Sequence, residues 1–133
     1  MREKVTIEFA GQEFGLAPTF GALDLFEDRH GSIALHYQKL GDLSATMTAR
    51  AYLVWQALKA GDPSLPFTLE ATRVAMFDAG LWHESVVTKE IELVEKLLYT
   101  PEQYIEKKNQ LAAASKAQED ALASLDGLSN FSA

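Results

Sequence analysis

The stretch from Thr19 to Ser32 has clear boundaries at both ends and separates two kinds of sequence in this chain. Before Pro18, apolar and polar residues alternate as in a half-buried strand, and after it most segments have helical periodicity. Thr19 can cap a helix with its hydroxyl, and Gly31 stands where a helix usually ends, because glycine takes the left-handed C′ conformation without strain. The stretch therefore predicts a helix that joins a strand region to a helical body.

Two strands are predicted before this helix. Their alternating apolar residues are Val5, Ile7, Phe9, Phe14 and Leu16. A two-residue turn at Ala10-Gly11 or at Gly11-Gln12 would join the strands, and either turn keeps these apolar residues on one face. Because a lone hairpin is marginally stable in water, this face is expected to pack on the helices.

The rest of the chain predicts a series of helices. They run from Phe20 to about His30, from Ser32 through Leu40, from Asp42 or Ser44 to about Ala60, from Thr68 to Gly80, from His83 to Tyr99, and from Thr100 onward. The last begins with a capping box of Thr100 and Gln103 around Pro101. The predicted fold is mainly α, with an N-terminal hairpin (residues 4–17) on a bundle of about five or six helices. One globular domain is expected over residues 1–114, and a loosely ordered tail over residues 115–133.

Composition narrows the classes of function. The formal net charge of −7 repels nucleic-acid phosphates, so no nucleic-acid partner is expected. Residues 69–98 could form a DNA-binding helix-turn-helix motif, but the predicted second helix is acidic and would be repelled by DNA. The chain has no cysteine, and it contains neither an apolar leader nor a run long enough to span a membrane. A cytoplasmic protein without a membrane partner is expected.

Few residues suggest chemistry. Glu27 and His30 form a single Glu-x-x-His pair, whereas di-iron bundles use two, and His30 in a last helical turn suits the helix dipole. Asp24, Glu27 and Asp28 could meet on one helix face, which is expected to be solvated. The same reading applies to the glutamates of the fifth helix, Glu84, Glu90, Glu92 and Glu95. No glycine-rich phosphate loop or nucleophile elbow is present, so no enzyme activity, metal or cofactor is expected.

The pattern Val5-Thr6-Ile7-Glu8-Phe9-x-Gly11-x-x-Phe14-x-Leu16, followed by Thr19-x-Gly21-Ala22-Leu23-x-x-Phe26-Glu27, resembles the tail assembly chaperones of tailed phages and gene transfer agents. The resemblance covers about residues 3–60. It implies a non-enzymatic protein of the bacterial host cytoplasm that binds the tape measure protein during tail assembly. Its motif residues are structural: Thr19, Gly21, Ala22, Leu23, Phe26 and Glu27. The alternative is a structural virion component, such as a head–tail connector or a tail terminator protein.

Three features are candidates for binding the tape measure protein, another phage tail protein or a second copy of the chain. They are Trp82, the stripe of Val87, Ile91, Val94 and Leu98, and the thinly spaced Leu122, Leu125 and Phe131. Gly21 lies in the first turn of its helix, where glycine weakens the helix. We expect a close approach of the hairpin over that turn to require it.

Overall fold

The computed structural model describes the backbone of residues 2–131 and the side chains of residues 2–123. Within that range the elements are β1 (Val5–Phe9), β2 (Gln12–Leu16), α1 (Phe20–His30), α2 (Ile33–Gly41), α3 (Met47–Gly61), α4 (Leu69–Ala79), α5 (Glu84–Leu98) and α6 (Pro101–Phe131). The predicted architecture, a mainly helical protein with an N-terminal hairpin, is confirmed. No helix among the described residues is long and apolar enough to cross a membrane.

The two strands form the expected antiparallel hairpin. Val5 pairs with Leu16 and Ile7 with Phe14, so the apolar face is continuous and buried. The turn is Ala10-Gly11, and both residues have positive φ, as in the type I′ turns that match the twist of the strands. The sequence was compatible with a turn at Ala10-Gly11 or at Gly11-Gln12, and the structure has the first of these.

The hairpin packs on the helices, chiefly on α3 and α5. Its closest approach is to the end of α3, where a Cβ added to Gly61 would lie 2.7 Å from the carbonyl oxygen of Gly15. The backbone N–H of Ala17 donates to the Ala57 carbonyl at 3.0 Å, and Lys4 Nζ donates to the Gly61 carbonyl at 2.9 Å. The glycine that a close approach requires is therefore Gly61.

Helix α1 has the predicted bounds. The Thr19 hydroxyl accepts from the Ala22 N–H at 3.1 Å, and Gly31 ends the helix with a φ of 84°. The expectation for Gly21 is wrong: it is exposed, and an added Cβ would have only the Thr19 hydroxyl within 4.0 Å. Phe20 is 77% exposed, whereas Phe26, six positions further along the helix, is fully buried.

Helix α3 begins later than predicted. Thr46 is its N-cap and accepts from the Ala49 N–H at 3.2 Å. Asp42 instead closes a turn of the preceding loop, where its carboxylate accepts from both the N–H and the hydroxyl of Ser44. This local hydrogen bonding explains why neither Asp42 nor Ser44 starts the helix.

Helix α4 begins at its predicted cap, Thr68. Helix α5 begins at the predicted position, and there His83 is the N-cap. The capping box of α6 is complete, because the Gln103 N–H donates to the Thr100 hydroxyl at 3.2 Å and the Thr100 N–H to the Gln103 side chain at 3.1 Å.

The chain divides into two compact units, Met1–Tyr99 and Thr100–Ala133. The buried core described here belongs to the first unit, and α6 makes up the described part of the second. The sequence predicts a domain boundary at residue 114. It stays a prediction that residues 100–114 fold with the first unit and that residues 115–133 are loosely ordered.

Candidate functional site

The motif residues of α1 form a structural joint between the first two helices. Ala22 and Phe26 are buried, Leu23 is partly buried, and Glu27 is exposed. One Glu27 carboxylate oxygen accepts from the N–H of Ile33 at 2.9 Å, so this side chain satisfies a free amide at the start of α2. The acidic residue of the motif thus ties α1 to α2.

The residues that were candidates for catalysis or metal binding do not form a common site. Some lie apart from one another, and others have structural roles. Asp24 and Asp28 are exposed, as expected for a solvated face. The His30 ring packs between Phe26 and Tyr52, with centroid distances of 5.5 Å and 5.0 Å. Among residues 2–123, no three His, Asp or Glu side chains are grouped so that they could hold a metal ion.

One prediction about the acidic residues of α5 is wrong. Glu90 is 2% exposed, and it forms a buried ion pair with Arg50 of α3, which is 1% exposed. Arg50 Nε donates to one carboxylate oxygen at 2.9 Å, its Nη2 donates to the other, and Nη2 also donates to the Leu81 carbonyl. Burial raises the pKa of Glu90, and the Arg50 guanidinium opposes that rise.

Trp82, a predicted partner-binding residue, covers this ion pair. Its ring lies over the Arg50 guanidinium, 4.1 Å from the ring centroid, while the side chain stays 38% exposed. The contact is a cation–π interaction with a desolvated cation. The sequence did not indicate the ion pair or the ring contact, because nothing near Arg50 in the chain points to Glu90, forty positions away, or to Trp82.

The other predicted partner-binding residues are dispersed. On α5, Val94 is fully buried in the core, and Val87, Ile91 and Leu98 are partly buried. Leu122 is 55% exposed on α6, in the second unit. The side chains of Leu125 and Phe131 lie outside the described part of the chain. Partner binding by these residues stays a prediction.

A mainly apolar groove that the sequence did not indicate lies beside α4 in the first unit. Its volume is about 560 Å³. It is lined by Phe9, Ala10, Gln12, Phe14, Phe67, Thr68, Glu70, Ala71, Val74, Ala75, Asp78 and Ala79. We call it the α4 groove. The end of the hairpin forms one wall, and one face of α4 forms the other.

Aromatic rings build the floor of the α4 groove. The Phe14 and Phe67 rings meet edge to face with centroids 5.1 Å apart, and Phe9 lies 6.1 Å from Phe14. The indole N–H of Trp55 donates to the Phe67 carbonyl at 3.0 Å, which fixes the loop that carries this ring. Packed rings held by a hydrogen bond make a preformed surface.

Exposed apolar side chains continue along α4. Val74 is 49% exposed in the groove wall, and Phe77, one turn further on, is 66% exposed. Glu70 and Asp78 lie at the rim, and Glu70 carries an ion pair with Arg73 at 3.4 Å. The surface thus has an apolar centre, as grooves that bind amphipathic helices do, and it carries two acidic residues at its edge.

In comparisons with known proteins, the chain matches no family model, no curated protein and no solved structure.

Proposed function

We propose that this protein is a non-enzymatic assembly chaperone of the phage-tail type, which binds the tape measure protein through the α4 groove. The observation that carries the proposal is the groove itself, an apolar surface of about 560 Å³ with an acidic rim. The resemblance of residues 3–60 to tail assembly chaperones, on the motif from Thr19 to Glu27, supplies the identity of the partner.

A helical partner fits the chemistry of this surface. An amphipathic helix places apolar side chains at steps of three and four, which a groove walled by Phe14, Phe67 and Val74 can accept. Basic residues flanking that apolar stripe would face Glu70 and Asp78 at the rim. A long helical protein that aggregates when alone would gain solubility by covering its apolar stripe with a carrier whose net charge is −7.

The proposal is tested by co-expressing the chain with the longest product of the tail gene region and pulling down the complex. We expect Val74→Glu to lower recovery of that partner at least tenfold, since it places a charge in an apolar contact. Leu25→Glu is the matched control, because Leu25 lies on the exposed face of α1 and is 47% exposed, close to the 49% of Val74. The control should bind like the wild type.

Two results would contradict the proposal. The first is that the wild-type chain neither binds nor solubilises the tape measure protein. The second is that Val74→Glu and Leu25→Glu bind equally well, which would move the binding site away from the α4 groove. The alternative function is tested by looking for the protein in purified phage particles. A head–tail connector or tail terminator would remain in them, whereas an assembly chaperone would be absent.

A further inference from the structure

A second cavity lies at the junction of α1, α2 and the start of α3. Its volume is about 130 Å³, and it is lined by His30, Ser32, Leu35, His36, Lys39, Ala45, Thr46 and Ala49. One water molecule needs roughly 10–15 Å³, so there is room for a ligand of several heavy atoms. Ser32, Leu35, Lys39 and Thr46 are exposed, whereas His36 and Ala45 are buried, so the cavity opens to solvent along one side.

A buried histidine without a hydrogen-bond partner lines this cavity. His36 is 5% exposed, and its Nε2 is fully buried without a partner among the described residues. The Nε2 of His30, which also lines the cavity, is in the same condition. Buried polar atoms are nearly always hydrogen-bonded, so two unpartnered ring nitrogens on residues that line one cavity point to a ligand with polar atoms of its own.

The polar groups that surround the cavity favour an anion. Among the residues whose side chains are described, no carboxylate lines it, although the chain carries nineteen acidic residues. Lys39 contributes a positive charge, and the first turn of α3, at Thr46 and Ala49, contributes the positive end of a helix dipole. The hydroxyls of Ser32 and Thr46 add two groups able to donate a hydrogen bond to an oxygen.

Charged groups on the neighbouring helices also bear on the sign of the ligand. Burial lowers the pKa values of His30 and His36, and the positive charges of Arg29 on α1 and Arg50 on α3 add to the decrease for His30 and His36, respectively. Arg50 is already paired with Glu90, and Glu27 is engaged at the amide of Ile33. Lys39 therefore supplies the lining charge that an incoming ligand would meet.

We propose that this cavity binds a small tetrahedral oxyanion of the phosphate class, held by Lys39, His36 and the first turn of α3. The oxyanion would supply acceptors to the two histidine rings and to the hydroxyls at the mouth. Its negative charge would stabilise a protonated His36. Binding at this site is independent of the α4 groove.

The test is a titration of the full-length protein with sodium phosphate, balanced with sodium chloride at constant ionic strength and followed by the NMR signals of the histidine rings. We expect saturable shifts of the His30 and His36 signals, with His83, the exposed N-cap of α5, as an internal reference that does not move. Lys39→Met should weaken phosphate binding at least tenfold. Lys89→Met, which removes a cation of the α5 surface, should leave it unchanged.

Three results would overturn the proposal. One is the absence of a saturable shift at tens of millimolar phosphate. Another is an equal loss of binding in Lys39→Met and Lys89→Met, which would indicate a diffuse charge effect. The third is saturable binding of acetate without binding of phosphate, which would assign the cavity to a planar carboxylate.

Discussion

Replacing single glycines of this chain by alanine should have opposite effects on stability, and the packing around each glycine explains the difference. Gly21 is exposed in a helix with no group near its missing side chain except the Thr19 hydroxyl, whereas Gly61 faces the backbone of Gly15. We expect Gly21→Ala to stabilise the protein by about 0.5–1 kcal/mol through better helix propensity. Gly61→Ala should destabilise it by about 1–3 kcal/mol, since the hairpin must shift. Urea unfolding of both variants checks the pair, and equal changes of one sign would contradict the packing described.

His36 makes stability depend on pH. Burial lowers its pKa to about 4, and the cationic groups of Arg50, His30 and Lys39 add to the decrease. The unfolded chain, with a histidine pKa near 6.5, therefore takes up a proton first as the pH falls. Stability should decrease by about 2 kcal/mol between pH 7 and pH 5 from this group alone.

The control for this pH dependence is the same measurement on two variants. His36→Gln should flatten the loss of stability between pH 7 and pH 5, whereas His83→Asn, which changes the exposed cap of α5, should retain it. A His36→Gln profile parallel to that of the wild type would show that other groups cause the loss.

At the scale of elements, the Arg50–Glu90 pair holds α3 to α5 across the core. Arg50→Met alone should cost about 3–5 kcal/mol, because it leaves Glu90 buried without its cation. The double variant Arg50→Met/Glu90→Leu should lose less than this single variant, since neither charge then remains unpaired. Chemical unfolding of both variants measures the coupling.

The matched control for that pair lies on the surface of the same helix. Glu92 forms exposed or partly exposed ion pairs with Lys89 at 3.6 Å and Lys96 at 3.8 Å. Glu92→Gln should change stability by less than about 1 kcal/mol, as is usual for such pairs. Additive losses in the Arg50/Glu90 double variant would mean that the buried pair contributes no coupling.

The elements also show what the sequence could predict. Caps are local, so Thr19, Thr68 and the Thr100–Gln103 box mark helix starts that the structure confirms. The start of α3 was placed too early because Asp42 and Thr46 are both good capping residues by type, and hydrogen bonding within the loop decides between them. Choices between two equivalent local signals depend on contacts that a linear pattern does not contain.

At the scale of the whole molecule, the missed features are those that join distant segments. The α4 groove combines the hairpin with a helix some sixty positions later, and its exposed Val74 resembles a core position in the sequence. Glu90 resembles its solvated neighbours on α5 until Arg50 is placed opposite it. The hairpin and its buried face could be predicted because strand alternation reports directly on which side is covered.

The chain carries two tryptophans, and their surroundings give it an optical readout of its own. The indole N–H of Trp55 donates a hydrogen bond to the carbonyl of Phe67, which lines the α4 groove. The ring of Trp82 lies over the Arg50 guanidinium between α3 and α5. Their indoles therefore sit in chemically different environments, one near the groove and one over the buried ion pair. Fluorescence of single-tryptophan variants can then follow occupation of the groove and loosening of the core separately, without an attached dye.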